Sequence, residues 1–309
     1  MENKLHMSVN PHIHGAKTTR GIMLDVIIAL LPATVAGIIL FGLQALLVVL
    51  TCVIAAVACE AVFKLLAKQE MTIDDLSAVV TGLLLALNLP ANVPLWQAAV
   101  GTAFAIIVVK CFFGGLGKNV VNPAITGRVF MLIAFGSMTA AVFPKGMDSA
   151  SGATPLTDLA NGQAVELMDL FLGKCGGALG ETSALALLIG GIYLLVRRVI
   201  SWHVPVSFIG VTFILSLIVE GGNFEAALAW IFAGGLFIGA FFMATDYVTS
   251  PTTAKGKLIF GAAAGIITVL IRFWGGYPEG VSFAILFMNI VNPYIDSLCV
   301  RKVFGGVKK

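Results

Sequence analysis

Charge is scarce in this chain. Only 11% of its 309 residues are Asp, Glu, Lys or Arg, while 59% are hydrophobic. An ordinary soluble domain carries ~25% charged residues, so this composition excludes one. Cysteine occurs five times (Cys52, Cys59, Cys111, Cys175, Cys299) and never as a CxxC pair. That argues against an iron–sulfur cluster ligated by this chain alone. Most of these cysteines fall in apolar runs, where a small buried residue explains them. Of the four histidines, His12 and His14 form an HxH pair in the N-terminal tail. Two histidines without further ligands read as a solvated tail, so no metal site is expected. Met1–Lys17 is polar and lacks the apolar core of a cleavable signal, so the N-terminus is expected to be retained. The net charge of +3 is spread thinly, and no nucleic-acid partner is expected.

What the chain does have is long apolar runs. Ten spans can be marked: 22–41, 43–66, 76–89, 95–113, 124–143, 182–199, 204–219, 224–244, 258–274 and 281–299. The expected fold class is an all-α polytopic membrane protein, with ten transmembrane helices in two inverted five-helix repeats containing broken helices. The third span is short. At 1.5 Å per residue it reaches about 21 Å, against a hydrocarbon core of ~30 Å. It closes on Asn88-Leu89-Pro90, with Pro94 beyond, which suggests a broken helix buried in the bundle.

Basic residues fix an orientation. With the N-terminus inside, all of the 19 Lys and Arg except Lys145, Lys174 and Arg272 fall on inner segments, Arg128 among them. Such asymmetry predicts both termini in the cytoplasm. The chain also repeats itself. Val121-Asn122-Pro123-Ala124-Ile125 returns as Val291-Asn292-Pro293-Tyr294-Ile295. GTAFAIIVVKCFFGG from Gly101 returns as GAAAGIITVLIRFWGG from Gly261. Five spans per half is an odd number, so the halves enter the membrane from opposite sides. The division is then an inner tail 1–21, a first repeat 22–143, an outer loop 144–181, a second repeat 182–300 and an inner tail 301–309.

The outer loop holds the stretch DSASGATPLT, Asp148 to Thr157. It contains no histidine, and no base lies beside Ser151 or Thr154, so no catalytic triad can be read there. It offers a hydroxyl, Thr154, among small residues, with Pro155 pushing it towards an extended backbone. The pattern Asp148-x-x-Ser151-Gly152-Ala153-Thr154 looks like the target of flavin transferases, which esterify a Thr or Ser hydroxyl with the phosphate of FMN. A polar turn with local backbone bonds is the plainer reading. The loop's acids Asp158, Glu166, Asp169 and Glu181 read as solvated. Gly173, Gly176, Gly177 and Gly180 suggest a flexible lid or a docking surface. Three carboxylates stand in or at the ends of apolar spans: Asp25, Glu60 and Asp246. Each costs ~2.5–3.5 kcal/mol at mid-membrane and needs a reason. One reason is an interfacial pair with Lys or Arg; the other is an ion path. Asp246 is the best path candidate, set among Thr245, Tyr247, Thr249 and Ser250, although Lys255 or Lys257 could pair with it.

Over its whole length the chain resembles the RnfD/NqrB family of membrane subunits of ion-translocating electron-transport complexes. The motif ending in Thr154, the ten spans and the repeat carry the resemblance. A first span starting at residue 22 is closer to the RnfD branch, since NqrB-type subunits have a longer N-terminal part. The resemblance implies FMN joined to Thr154 by a phosphoester, with Asp148, Ser151, Gly152 and Ala153 as the attachment motif. It also implies a second, non-covalent flavin (riboflavin or FMN), for which no residue pattern stands out. It implies a bacterial or archaeal plasma-membrane protein that acts with other Rnf subunits and a flavin transferase. Electrons would pass between ferredoxin and NAD while Na+ or H+ crosses the membrane. The subunit would carry electrons without being catalytic alone. Three alternatives remain open at this level: the NqrB subunit of a Na+-translocating NADH:quinone reductase, a flavin-free inverted-repeat channel or transporter, and a scaffold subunit without cofactor.

Overall fold

A computed structural model describes residues 18–136, 142–144, 154–163, 165–276 and 279–299. Both tails and the motif residues Asp148, Ser151, Gly152 and Ala153 lie outside the described residues. The described residues are helical, with one isolated bridge between Pro90 and Ala178 in place of any strand.

Local sequence explains where the helices start and stop. α1 (Thr19–Phe41) opens on Thr18, whose hydroxyl accepts from Gly21 N at 3.2 Å. It closes at Gly42, whose φ of +79° few side chains would tolerate, and α2 (Leu43–Leu66) runs back beside it. α3 (Ser77–Leu87) is short and buried on nearly every side. α4 (Leu95–Ala103) continues through a π-helical turn to Cys111. α5 (Pro123–Ala134) is capped by Asn122, which accepts from Ala124 N and Ile125 N, with Pro123 in the first turn where no N–H is needed. Two single-turn helices follow, α6 (Pro155–Ala160) and α7 (Leu167–Leu172).

The second half holds α8 (Ala184–Val196), α9 (His203–Val219) and α10 (Phe224–Phe232). α11 (Leu236–Ile238) runs on as a π-helical segment, Gly239–Met243. α12 (Ala254–Trp274) and α13 (Val281–Leu298) complete it. α10 and the Leu236–Met243 segment meet at a bend of 65°. The eighth span, expected as one run, is therefore broken at Gly234-Gly235. α9 and α12 pack closely because Gly265 leaves room for the Phe208 carbonyl, 3.0 Å from where a Cβ would sit.

Four helices (α1, α2, α12, α13) are long and apolar enough to cross a membrane, and the bent pair makes a fifth if counted as one span. The apolar helices at the other five expected positions are 10–17 residues long. That is shorter than the ~20 residues a straight crossing takes. The ten expected spans thus each contain helix, but half of them lack the length. The two VNP segments also differ in structure: Asn122-Pro123 begins α5, whereas Pro293 lies inside α13.

Candidate functional site

Thr154 is the N-cap of α6. Its backbone is extended (φ −75°, ψ 154°), as the following proline requires. Its hydroxyl meets Thr157 Oγ1 at 2.9 Å and accepts from Thr157 N at 3.4 Å. The residue is half-buried, and these hydrogen bonds stay within one turn. An ester at Oγ1 would therefore disturb one cap and no buried network. Leu156, two residues on, is buried in a small apolar cluster with Leu170, Ala229, Trp230 and Ala233. Its side chain lies 2.5 Å from where a Cβ on Gly234 would stand. The turn carrying Thr154 thus sits directly on the break in the eighth span.

The segment leading into α8 also packs against a helix break. Leu179 N donates to Leu89 O at 3.0 Å, and Gly180 N donates to Leu87 O at 2.6 Å. These bonds satisfy carbonyls that α3 frees where it ends. A Cβ on Gly180 would stand 2.8 Å from Leu87 Cβ, and one on Gly176 would stand 2.9 Å from the Phe143 ring. Gly176 and Gly180 thus pack against neighbouring segments, where the sequence suggested a flexible lid or a docking surface.

Both breaks converge on one set of charges. Arg128 Nη1 donates to Asn88 Oδ1 at 2.7 Å, at the end of α3. Its Nη2 pairs with Glu181 Oε1 at 2.7 Å and also with Glu279 Oε2. Glu279 Oε1 accepts from Gly235 N at 3.1 Å, at the start of α11. Arg272 donates to Trp230 O and to Ala233 O, carbonyls freed at the end of α10. Glu181, expected to be solvated, has a side chain only 11% exposed. Arg128, counted above with the inner charges, is held between Glu181 of the expected outer loop and Glu279, which lies between the ninth and tenth expected spans.

A cavity of about 100 Å³, open to solvent on one side, is lined by residues of both halves. Phe241, Phe242, Val26 and Leu84 give it apolar walls; Ser77, Thr81, Lys110, Asn119, Asn122 and Asp246 give it polar groups. Asp246 accepts from Thr249 Oγ1 at 3.1 Å and weakly from Val248 N at 3.5 Å. Among the described residues it has no cationic partner within 4 Å, Lys255 and Lys257 included. Glu60 is different. It pairs with Lys110 at 2.7 Å and Lys64 at 3.6 Å, and Lys110 also donates to Ser77 Oγ. Asp25 pairs with Arg197 at 3.1 Å and accepts from Tyr193 Oη at 3.0 Å. The structure brings Asp246 to the cavity, joins Glu60 to it through Lys110, and leaves Asp25 outside it.

A family model described as NQR2, RnfD, RnfE matches residues 6–305. The chain belongs to that family. It is 46% identical to the RnfD-type subunit named for the Na(+)-translocating ferredoxin:NAD(+) oxidoreductase complex of Acetobacterium woodii, over 99% of this chain and 97% of that one. It is 41% identical to the corresponding subunit of the proton-translocating ferredoxin:NAD(+) oxidoreductase complex of Clostridium ljungdahlii, over 98% and 97%. It is 35% identical to the corresponding subunit of the ion-translocating oxidoreductase complex of Yersinia pseudotuberculosis, over 97% and 98%.

Membership gives the buried charges a setting but does not point to them. Arg128, Glu181, Glu279 and Arg272 went unmarked as site residues in the sequence. The available signals were Arg128 and Arg272, basic residues inside the otherwise apolar fifth and ninth expected spans. No group of three or more His, Cys, Asp and Glu able to hold a metal occurs among the described residues.

Proposed function

We propose that this chain is the flavin-carrying membrane subunit of an ion-translocating ferredoxin:NAD oxidoreductase complex. The full-length match to relatives so named carries the reading. Thr154 supports it from the chain itself, because its half-buried hydroxyl is free of any buried network. In this reading FMN is held at Thr154 Oγ by a phosphoester, within the motif Asp148, Ser151, Gly152, Ala153. When bound, the flavin supplies the one- and two-electron chemistry. The protein supplies a tether, a turn braced by Leu156, and the membrane body. Ten crossings in two inverted halves belong to the same proposal, with both termini inside and the Thr154 loop outside. A second, non-covalent flavin (riboflavin or FMN) belongs to the same reading, and Phe241, Phe242, Asn119 and Asn122 in the cavity lining are the groups it would meet there. Asp246 lines that cavity without a cationic partner and is the candidate for an inner ion path, for Na+ or H+. Glu60 and Asp25 are held in ion pairs and are weaker candidates.

The test is Thr154→Val. In-gel flavin fluorescence under denaturing conditions should vanish, and the intact mass should lose the FMN increment. Thr154→Ser should keep part of both. Undiminished fluorescence in Thr154→Val would remove this attachment point. A wild-type mass without FMN would favour a flavin-free transporter.

A further inference from the structure

We propose that Glu181 and Glu279 form a proton-binding site, in which the two carboxyl groups share one proton beneath Arg128 and thereby control the break in the eighth span. The site does not depend on the flavin reading. Both carboxyl groups meet the same guanidinium nitrogen, Arg128 Nη2. Their oxygens also close on one point, since Glu279 Oε1 and Glu181 Oε1 lie 2.5 Å and 3.2 Å from where a Cβ on Gly235 would stand. Two carboxylates this close cannot both stay ionised without a large repulsion, so one retains a proton that hydrogen-bonds them together. Burial favours this, since the Glu181 and Glu279 side chains are only 11% and 16% exposed. It pushes Glu279 up to about 7, with Arg128 opposing and Glu181 reinforcing the shift.

The charged groups around the pair are few. α5 contributes Arg128 and α12 contributes Arg272, whose charge reaches both carboxyls. Cys175 is a further titratable neighbour of Glu181. Arg272 Nε is buried and has no hydrogen-bond partner. A second negative charge at the pair therefore has a donor waiting on α12. Glu279 is also the group that accepts from Gly235 N, where α11 begins after the bend. When the shared proton leaves, repulsion from Glu181 loosens Glu279 from Gly235, and Arg128 and Arg272 are the cations that receive the added charge. The bend would then lose one bond on its α11 side. Uptake of the proton from solvent reverses these steps, with no change in redox state.

The experiment is infrared difference titration of the purified full chain in detergent, reading the carboxylic-acid C=O stretch near neutral pH. The band should be present in wild type and in Thr154→Val, where flavin attachment is removed. It should disappear in Glu279→Gln and equally in Glu181→Gln, since the single carboxylate left is ionised against Arg128. A band that persists unchanged in either variant, or is missing from wild type, overturns the proposal. If one Gln variant fails to fold, the other carries the same expectation. Thr154→Val losing its flavin but keeping the band would confirm that the two readings are separate.

Discussion

Lys110→Met should destabilise the protein strongly, and adding Glu60→Gln should restore most of the loss. Glu60 is 1% exposed and Lys110 2%, with 2.7 Å between the charged atoms. Removing one partner of a buried pair costs about 3–5 kcal/mol, because the other charge is left in a poor solvent. Lys64 remains 3.6 Å from Glu60, which argues for the low end, about 3 kcal/mol. Each kcal/mol lowers Tm by about 2 °C in a chain of this size, so a fall of about 6 °C is expected. The double variant removes both charges and should lie close to wild type. Thermal unfolding in detergent, followed by intrinsic fluorescence, measures all three proteins. A Lys110→Met melting point equal to wild type would refute the reasoning, as would a double variant no more stable than the single. The double variant also separates structure from transport. If Glu60 is on an ion path, ion uptake by the reconstituted complex stays lost although Tm recovers; if Glu60 only serves the pair, uptake returns with it.

Four shorter predictions follow from the same geometry. Cys175 donates to Thr182 O at 3.7 Å, and its thiol is pushed up to about 12 by burial, with Glu181 and Asp169 adding to the shift. Against an ordinary thiol it has roughly a thousandfold less thiolate at neutral pH; maleimide labelling of intact cells should be slow and rise steeply with alkaline pH. Gly180→Ala should cost about 1–3 kcal/mol by pressing on Leu87, while Gly177→Ala, whose Cβ would have no neighbour closer than 3.6 Å, should cost little in the same melt. Glu279 titrates near 7 in the fold against an ordinary 4.5, so the folded state binds the extra proton. Its contribution to stability is full below the ordinary carboxylate range and is lost as pH rises through about 7, a slope that Glu279→Gln should flatten. Asp246→Asn in reconstituted complex should lower ion uptake with flavin content unchanged, and wild-type uptake would take Asp246 off the path.

The helices were legible because an apolar run is a local property. Composition alone predicted a helical membrane protein, and helix occupies each marked span. The end of α3 was legible too, because Pro90 and Pro94 announce it. The bend at Gly234-Gly235 was not. The apolar run continues through it, and the groups that hold it, Arg272 and Glu279, come 37 and 44 residues later. Glu181 read as a solvated loop acid for a related reason. Its burial depends on Arg128, 53 residues upstream. Hydropathy scores one side chain at a time, whereas the cost of burying a charge is set by the pair. The same limit touches the orientation argument. Counting basic residues treats each as a free charge facing the interface. Arg128 and Arg272 are instead bound to partners inside the bundle, so they report on helix breaks rather than on which side is cytoplasmic. Leaving them out, together with the buried Lys64 and Lys110, still leaves inner-segment basic residues in large excess over Lys145 and Lys174, so the expected orientation does not depend on the buried pairs.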